Sequence, residues 1–204
     1  MEKIRLLISV PSARDWKPQF GASLCGLVQH LSAEKLGGRL EVVEMAAHFQ
    51  ASCLSTARER SLLYAEKEGF THWLSLDDDM VFPVDSVDKL LVHNVPVAVA
   101  NYRRKQEEVL GICLDLDGQF INSSGKTGLQ EVGWIGGGLN LFDINAVKVV
   151  EPPRFSVLWV KEKQAYMSED YYFSTKLREQ GIKMFCDHDL SQQVQHIGDV
   201  AYRF

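Results

Sequence analysis

A short apolar run, Trp73-Leu74-Ser75-Leu76, passes without a break into three consecutive aspartates, Asp77-Asp78-Asp79. No other stretch constrains the fold as much. So apolar a strand belongs in a sheet covered on both faces, and its acidic continuation must emerge at the sheet's carboxyl edge. The neighbouring sequence supplies the cover. Residues 4–10 read as a first buried strand ended by Pro11, and Leu24, Leu27, Val28 and Leu31 recur at helical spacing within 20–36. Gly37-Gly38 stops that helix, and residues 40–45 read as a second strand. Leu54, Ala57, Leu62 and Ala65 then mark a helix over 52–67. Pro83 opens a third helix through Leu91, and 95–100 makes the next strand. Strand and helix alternate through the first half, which predicts a Rossmann-like, mostly parallel α/β sheet flanked by helices.

The second half changes character. Residues 109–114 and 120–122 read as strands around an Asp117-Gly118 turn, and 131–142 is strand-like but interrupted by Gly136-Gly137-Gly138. A helix over 144–150 stops at Pro152-Pro153; the last helix, 168–180, ends at Gly181 and leads into a strand over 182–186. No linker, repeat or low-complexity tract divides the 204 residues, so one domain is expected.

Composition narrows the function classes. With 22 Lys+Arg against 27 Asp+Glu the formal charge is −5, which leaves no global electrostatic footprint for nucleic acid or anionic lipid. No apolar run approaches the roughly 18 residues of a membrane span, and the opening stretch is too short for a signal peptide. Cys25, Cys53, Cys113 and Cys186 lack zinc or C-x-x-C spacing and read as reduced core thiols, which points to a cytoplasmic protein.

Three carboxylates at one strand end repel one another unless a cation or hydrogen-bond donors offset them. In extended backbone Asp77 and Asp79 share a side, offering hard oxygen ligands to Mg²⁺ or Mn²⁺ whose open positions nucleotide phosphates can fill. Taken alone, the triplet is also accounted for by a solvated acidic turn that caps the helix after Pro83.

The run Ser55-Thr56-Ala57-Arg58-Glu59-Arg60, followed by Phe70 through Pro83 with its Asp77-Asp78-Asp79-Met80 core, resembles the GT-A glycosyltransferases, in particular small bacterial and phage proteins of the family 2 type. Ser168-Glu169-Asp170-Tyr171-Tyr172-Phe173 is similar to that family's Glu-Asp helix start, and Val194-Gln195-His196-Ile197-Gly198 to its terminal His-x-Gly segment. The resemblance spans roughly residues 4–198. It implies a single GT-A (nucleotide-diphospho-sugar transferase) domain, with a nucleotide-binding half over about 1–100 and an acceptor and catalytic half over about 101–204.

The implied activity is metal-dependent transfer of a sugar from a nucleotide-diphosphate-sugar donor to a hydroxyl acceptor, inverting if a carboxylate serves as base. In that scheme Asp79, Asp77 and His196 bind Mn²⁺ or Mg²⁺. Pro11, Arg14, Arg58, Asp77, Asp78 and Gly137 face the donor, Asp170 is the general base, and Glu169 supports it or binds the acceptor. Each residue also has a plainer use. Glu169 and Asp170 are ordinary first-turn acids, a lone histidine is usually structural, and Arg58 sits in a charged stretch where the family's Asn is replaced by Glu59. His188 is a rival metal ligand. Arg103-Arg104-Lys105 could meet a diphosphate, or an acidic or lipid-phosphate acceptor, or simply be solvated, and Trp134 could stack on a sugar or fill the core.

Two other classes stay open. A nucleotidyltransferase on a related sheet would bind metal and nucleotide too, although Pro11-Ser12-Ala13-Arg14 lacks the glycine-rich loop such enzymes carry. A non-catalytic nucleotide-sugar-binding module is the second. The chain is short for such an enzyme, leaving room for a second copy or a partner chain to complete the acceptor side.

Overall fold

A computed structural model describes residues 3–12, 15–48, 53–105, 110–162, 164–198 and 201–203. The first half runs β1 (Ile4–Pro11), α1 (Pro18–Gly38), β2 (Leu40–His48), α2 (Leu54–Lys67), β3 (His72–Leu76), β4 (Met80–Val81), α3 (Ser86–Leu91) and β5 (Val97–Val99). The second continues with β6 (Leu129–Val132), β7 (Leu139–Asp143), α4 (Ile144–Val147), β8 (Leu158–Val160), β9 (Ala165–Met167) and α5 (Glu169–Glu179). It closes with β10 (Met184–Asp187), α6 (His188–Ser191), β11 (Gln195–Ile197) and β12 (Ala201–Tyr202).

Among the described residues the central sheet has seven strands in the order β2-β1-β3-β7-β5-β10-β6. β1 pairs in parallel with β2 and β3, and β10 in parallel with β5. β7 runs antiparallel between β3 and β5, and β6 lies antiparallel at the edge. The sheet is therefore mostly parallel, as the alternation of strand and helix predicts.

Two-sided burial explains the apolar strands. Leu6, Ile8 and Val10 share one core with Phe20, Leu24, Leu27 and Leu31 of α1, whereas Leu7 joins Leu62 and Ala65 of α2, Trp73, Phe142 and Phe173 on the opposite face. Trp73 is fully buried; its ring stacks on Phe142 at 4.8 Å and its indole N–H donates to the Ser9 hydroxyl at 2.7 Å. No helix among the described residues is long and apolar enough to cross a membrane.

Several elements differ from expectation. The strand expected over 131–142 is two strands: β6 lies at the sheet edge and β7 near its centre, because Gly133 to Gly138 carry the chain from one to the other. The hairpin expected around Asp117-Gly118 keeps its turn but forms only isolated bridges, Leu114 with Phe120 and with Trp134. Its backbone bonds, Asp115 N–H to Gln119 O and Ile121 N–H to Cys113 O, both at 2.9 Å, are reinforced by a side chain. Buried Asn101 accepts from the Ile112 and Cys113 N–H groups and donates to Ile121 O and Ser123 Oγ. Val109 and Ser52 lie outside the described residues. Cys113 and Cys186 are buried as expected, whereas Cys25 and Cys53 are exposed on helical surface and at the start of α2.

Ser9→Ala should lower the unfolding free energy in urea by about 1–3 kcal/mol with an unchanged m-value, because the Trp73 N–H is left buried without its acceptor. An unchanged midpoint would show that this bond does not support the core.

Candidate active site

β3 ends at Leu76, and the acidic triplet forms a tight turn rather than extended strand. The turn is closed by the Met80 N–H donating to Asp77 O at 3.4 Å, and Asp77 N–H donates to Gly138 O at 3.0 Å. Strand alternation therefore does not set the carboxylates, and each takes its own partner. Asp77 Oδ1 accepts from Arg58 Nη2 at 2.6 Å, Asp78 accepts from the Ser12 hydroxyl, and Asp79 pairs with the Lys105 ammonium.

Arg58 is the buried counter-charge, only 4% exposed on α2. Besides Asp77, its guanidinium pairs with Glu169 at the start of α5. Burial works against that charge, but Asp77, Glu169 and Asp170 overcome it and hold Arg58 ionised. Gly137 makes room: a Cβ there would overlap the guanidinium and crowd Asp77 Oδ1. Burial pushes the Asp77 pKa up, with Arg58 opposing and the nearby charges of Asp79 and Asp170 adding to the push.

Antiparallel pairing of β4 with β11 sets His196 opposite Met80, and Ile197 N–H donates to Asp79 O at 2.7 Å. His196 Nδ1 lies 3.1 Å from Arg103 O, and its Nε2 lies 3.4 Å from Asp79 Oδ1. A carbonyl oxygen only accepts, so Nδ1 carries the hydrogen. Nε2 then faces a carboxylate with a lone pair unless a proton or a cation stands between them. Burial disfavours the Asp79 charge, yet His196 and Lys105 outweigh it and hold the pKa at about 2. Among the described residues no group of three or more His, Cys, Asp or Glu side chains is placed to hold a metal ion by itself. Asp79 and His196 offer two donors, and their separation suits ligands of one ion with bonds of about 2.1 Å.

These residues border a cleft of about 350 Å³, floored by Asp77, Asp78 and Asp79 and walled by Pro11, Leu54, Tyr102, Ile112 and His196. Next to it, Asp170 lines a smaller cavity together with Arg58, Gly137, Asn140 and Phe155. The Arg58–Asp77 pair joins the two. Asp170 Oδ1 accepts from the Ser168 hydroxyl and from the Tyr171 N–H at 2.8 Å. Burial raises its pKa, with Arg58 and Ser168 opposing. Tyr171 in turn donates its hydroxyl to Ile112 O at 2.7 Å, which ties α5 to the cleft wall.

Most residues singled out in the sequence converge here: Pro11, Arg58, Asp77, Asp78, Asp79, Gly137, Glu169, Asp170 and His196. Arg14 lies outside the described residues. His188 does not join them; it is buried between Ser123 Oγ (3.0 Å) and Gln130 Oε1 (2.9 Å). Trp134 is engaged by α5, donating to Thr175 Oγ1 at 3.1 Å with Arg178 4.2 Å over its ring. The basic run divides. Lys105 reaches Asp79, Arg104 stacks 4.9 Å over Phe120, and the Arg103 carbonyl orients His196. Ser12, Leu54, Tyr102 and Ile112 were not anticipated. Ser12 adjoins Pro11 in the same loop, whereas Leu54 and Ile112 carry no signal that separates them from core residues.

No protein-family model matches the chain, and no curated protein matches it in sequence. Among solved structures, A197 from STIV superposes with a TM-score of 0.63 over 96% of this chain and 87% of that one, at 16% identity. GalNAc-T7, solved with UDP, GalNAc and Mn²⁺, superposes at 0.57 over 97% of this chain at 14% identity; the match covers 45% of its own length. This chain thus spans less than half of GalNAc-T7. A nucleoside-diphosphate-sugar pyrophosphorylase from Vibrio cholerae RC9 overlaps at 0.48, too loosely to bear on function. At these identities the likeness shows the fold alone: a GT-A-like α/β fold.

Arg58→Met should cost about 3–5 kcal/mol, since two carboxylates would lose their buried counter-charge. Arg58→Lys should cost less, because an ammonium can hold one of the two. Chemical unfolding at neutral pH measures both, and wild-type stability in Arg58→Met would contradict the organising role of the pair.

Proposed function

We propose that the chain is a metal-dependent glycosyltransferase that moves a sugar from a nucleotide-diphosphate-sugar to a hydroxyl acceptor with inversion. The observation that carries this reading is the facing pair Asp79 and His196 at the carboxyl edge of the sheet, with the buried carboxylate of Asp170 in the adjoining cavity. The GT-A-like fold and the UDP and Mn²⁺ of GalNAc-T7 support it. Asp79 and His196 would hold the ion, and their mixed oxygen and imidazole donors favour Mn²⁺ over Mg²⁺, which prefers oxygen shells. When bound, such an ion offsets the charge that gathers on the nucleoside diphosphate as it leaves.

The protein's own groups divide the remaining work. Pro11, Asp77 and Asp78 present the donor side of the cleft, and Arg14, three residues after Pro11 in sequence, would join them. Arg58 acts on the donor through Asp77, because Asp77 and Glu169 already engage its guanidinium. Asp170 takes the proton of the acceptor hydroxyl as the acceptor oxygen bonds to the anomeric carbon. The bond from that carbon to the diphosphate oxygen breaks, and its electron pair leaves with the nucleotide. Glu169, held by Arg58, keeps the start of α5 at this distance. Residues of about 1–100 would form the nucleotide half and 101–204 the acceptor half, with His196 and Lys105 crossing to the donor side.

Thermal unfolding with UDP, GDP, CDP or ADP, each with Mn²⁺ or with EDTA, tests the donor site. A nucleotide at about 100 times its Kd should stabilise by roughly 2.7 kcal/mol, a midpoint rise of about 5–10 °C. The rise should need Mn²⁺ and vanish in Asp79→Ala; no rise with any nucleotide would contradict the proposal.

Asp170→Asn should lower kcat by about 10²–10⁴-fold. In wild type, transfer should fall on acidification through a midpoint above the ordinary aspartate value of 3.8, since burial raises the Asp170 pKa. A raised folded-state pKa means the stabilising contribution of this group is present below its unfolded pKa and lost as pH rises through the folded one. The ionised carboxylate therefore costs stability at pH 7, and Asp170→Asn should melt no lower than wild type there. Normal turnover by this variant would remove Asp170 as the base.

A further inference from the structure

Between Phe155 and Asp170 the chain leaves the core and returns as a free ribbon, β8 paired antiparallel with β9. Both feet stand at one place: Phe155 and Asp170 line the same small cavity. In the ribbon Trp159 lies directly opposite Tyr166, so the two side chains share a face, while Leu158, Val160, Ala165 and Met167 belong to the other. Both faces are open, Leu158 being 44% exposed on one, but the aromatic face is the more exposed, with Trp159 at 54% and Tyr166 at 71%. The rings are 5.1 Å apart and inclined at 68°, forming a corner rather than a flat wall. Trp159 follows Phe155 by four positions and Asp170 follows Tyr166 by four, so the Cα atoms of both aromatics stand within about 14 Å of a foot even at full extension.

We propose that this hairpin is the acceptor platform, and that the acceptor is a neutral saccharide whose ring packs into the Trp159–Tyr166 corner; the inference rests on the transferase reading and names its acceptor class. A sugar ring offers a face of C–H groups that an aromatic ring covers while the hydroxyl rim stays wet, which suits amphipathic Trp and Tyr at an open site. Position favours this occupant, because both aromatics are tethered four residues from Phe155 and Asp170, which line the cavity of the proposed base. Charge does not single out an anionic membrane, since the sequence between the two strands sets Glu162 between Lys161 and Lys163 on a chain of formal charge −5. Size disfavours a second copy: two strands of three residues present far less than the roughly 800 Å² per partner of a stable interface.

Calorimetric titration with malto-, cello-, xylo- and chito-trioses, with and without UDP and Mn²⁺, tests it. At least one triose should bind, and Trp159→Ala or Tyr166→Ala should each weaken that binding by about tenfold. Trp159→Phe should recover much of the loss. Both alanine variants replace exposed side chains, and their melting should confirm that they fold. Failure of every triose to bind wild type, or equal binding by the alanine variants, overturns the inference. So does hairpin-dependent binding to phosphatidylglycerol vesicles, or hairpin-dependent dimerisation in sedimentation, in place of saccharide binding. The transferase reading is read separately from the nucleotide-induced shift of wild type. If that shift is absent while hairpin-dependent triose binding is present, the reading falls and the saccharide site stands.

Discussion

One buried guanidinium holds the two halves of the site together. Asp77 comes from the end of β3 in the first half of the chain, and Glu169 from the first turn of α5 in the second. Carboxylates this close repel and lose hydration, and both penalties fall on a folded chain that places nothing between them. Arg58 answers both at once because its planar fork can serve two acceptors, which a lysine cannot do with the same geometry. The glycine at 137 belongs to the same interaction, since only a missing side chain leaves space for the fork. The acidic floor of the cleft and the proposed base are thereby placed by one residue, which in the proposed reaction neither binds the donor nor takes the proton.

A second constraint acts at Asp79. The β4–β11 pairing brings the end of the chain back against the acidic turn, so the histidine reaches its carboxylate by backbone register rather than by a flexible loop. The Arg103 carbonyl fixes which nitrogen of His196 carries hydrogen, the kind of outer contact that prepares an imidazole to ligate. Lys105 supplies a positive charge to the same carboxylate from the opposite side. Negative charge at this sheet edge is thus met by four cationic or polar partners, Arg58, Ser12, Lys105 and His196, from separate parts of the chain.

Much of the first half was legible in the sequence for a physical reason. Strands covered on both faces must be almost wholly apolar, and Ile4 to Pro11 and His72 to Leu76 show this directly. The second half was not, because its order depends on long-range polar contacts. Asn101 satisfies backbone groups 11 to 20 residues away and the Ser123 hydroxyl beyond them, and no local pattern announces it. The break between β6 and β7 was visible as glycines, but not the fact that the two strands lie at different places in the sheet. The β8–β9 ribbon has no core-facing run to give it away. In the site, acidic residues were conspicuous by type and position, whereas the burial of Arg58 and the reach of Lys105 are tertiary facts. Glu59 is a further case. It stands beside Arg58 on α2, yet it turns away and accepts from the Arg154 and Phe155 N–H groups at 2.6 and 3.1 Å, anchoring the segment that leads to the aromatic ribbon.

A cation at Asp79 and His196 is the centre of the proposed site, and anomalous X-ray scattering observes it directly. Crystals soaked with Mn²⁺ and UDP and recorded at the manganese edge should show one strong peak at bonding distance from Asp79 Oδ1 and His196 Nε2, with diphosphate oxygens completing its shell. A peak elsewhere, or a nucleotide bound in the cleft with no manganese at this pair, would contradict the account.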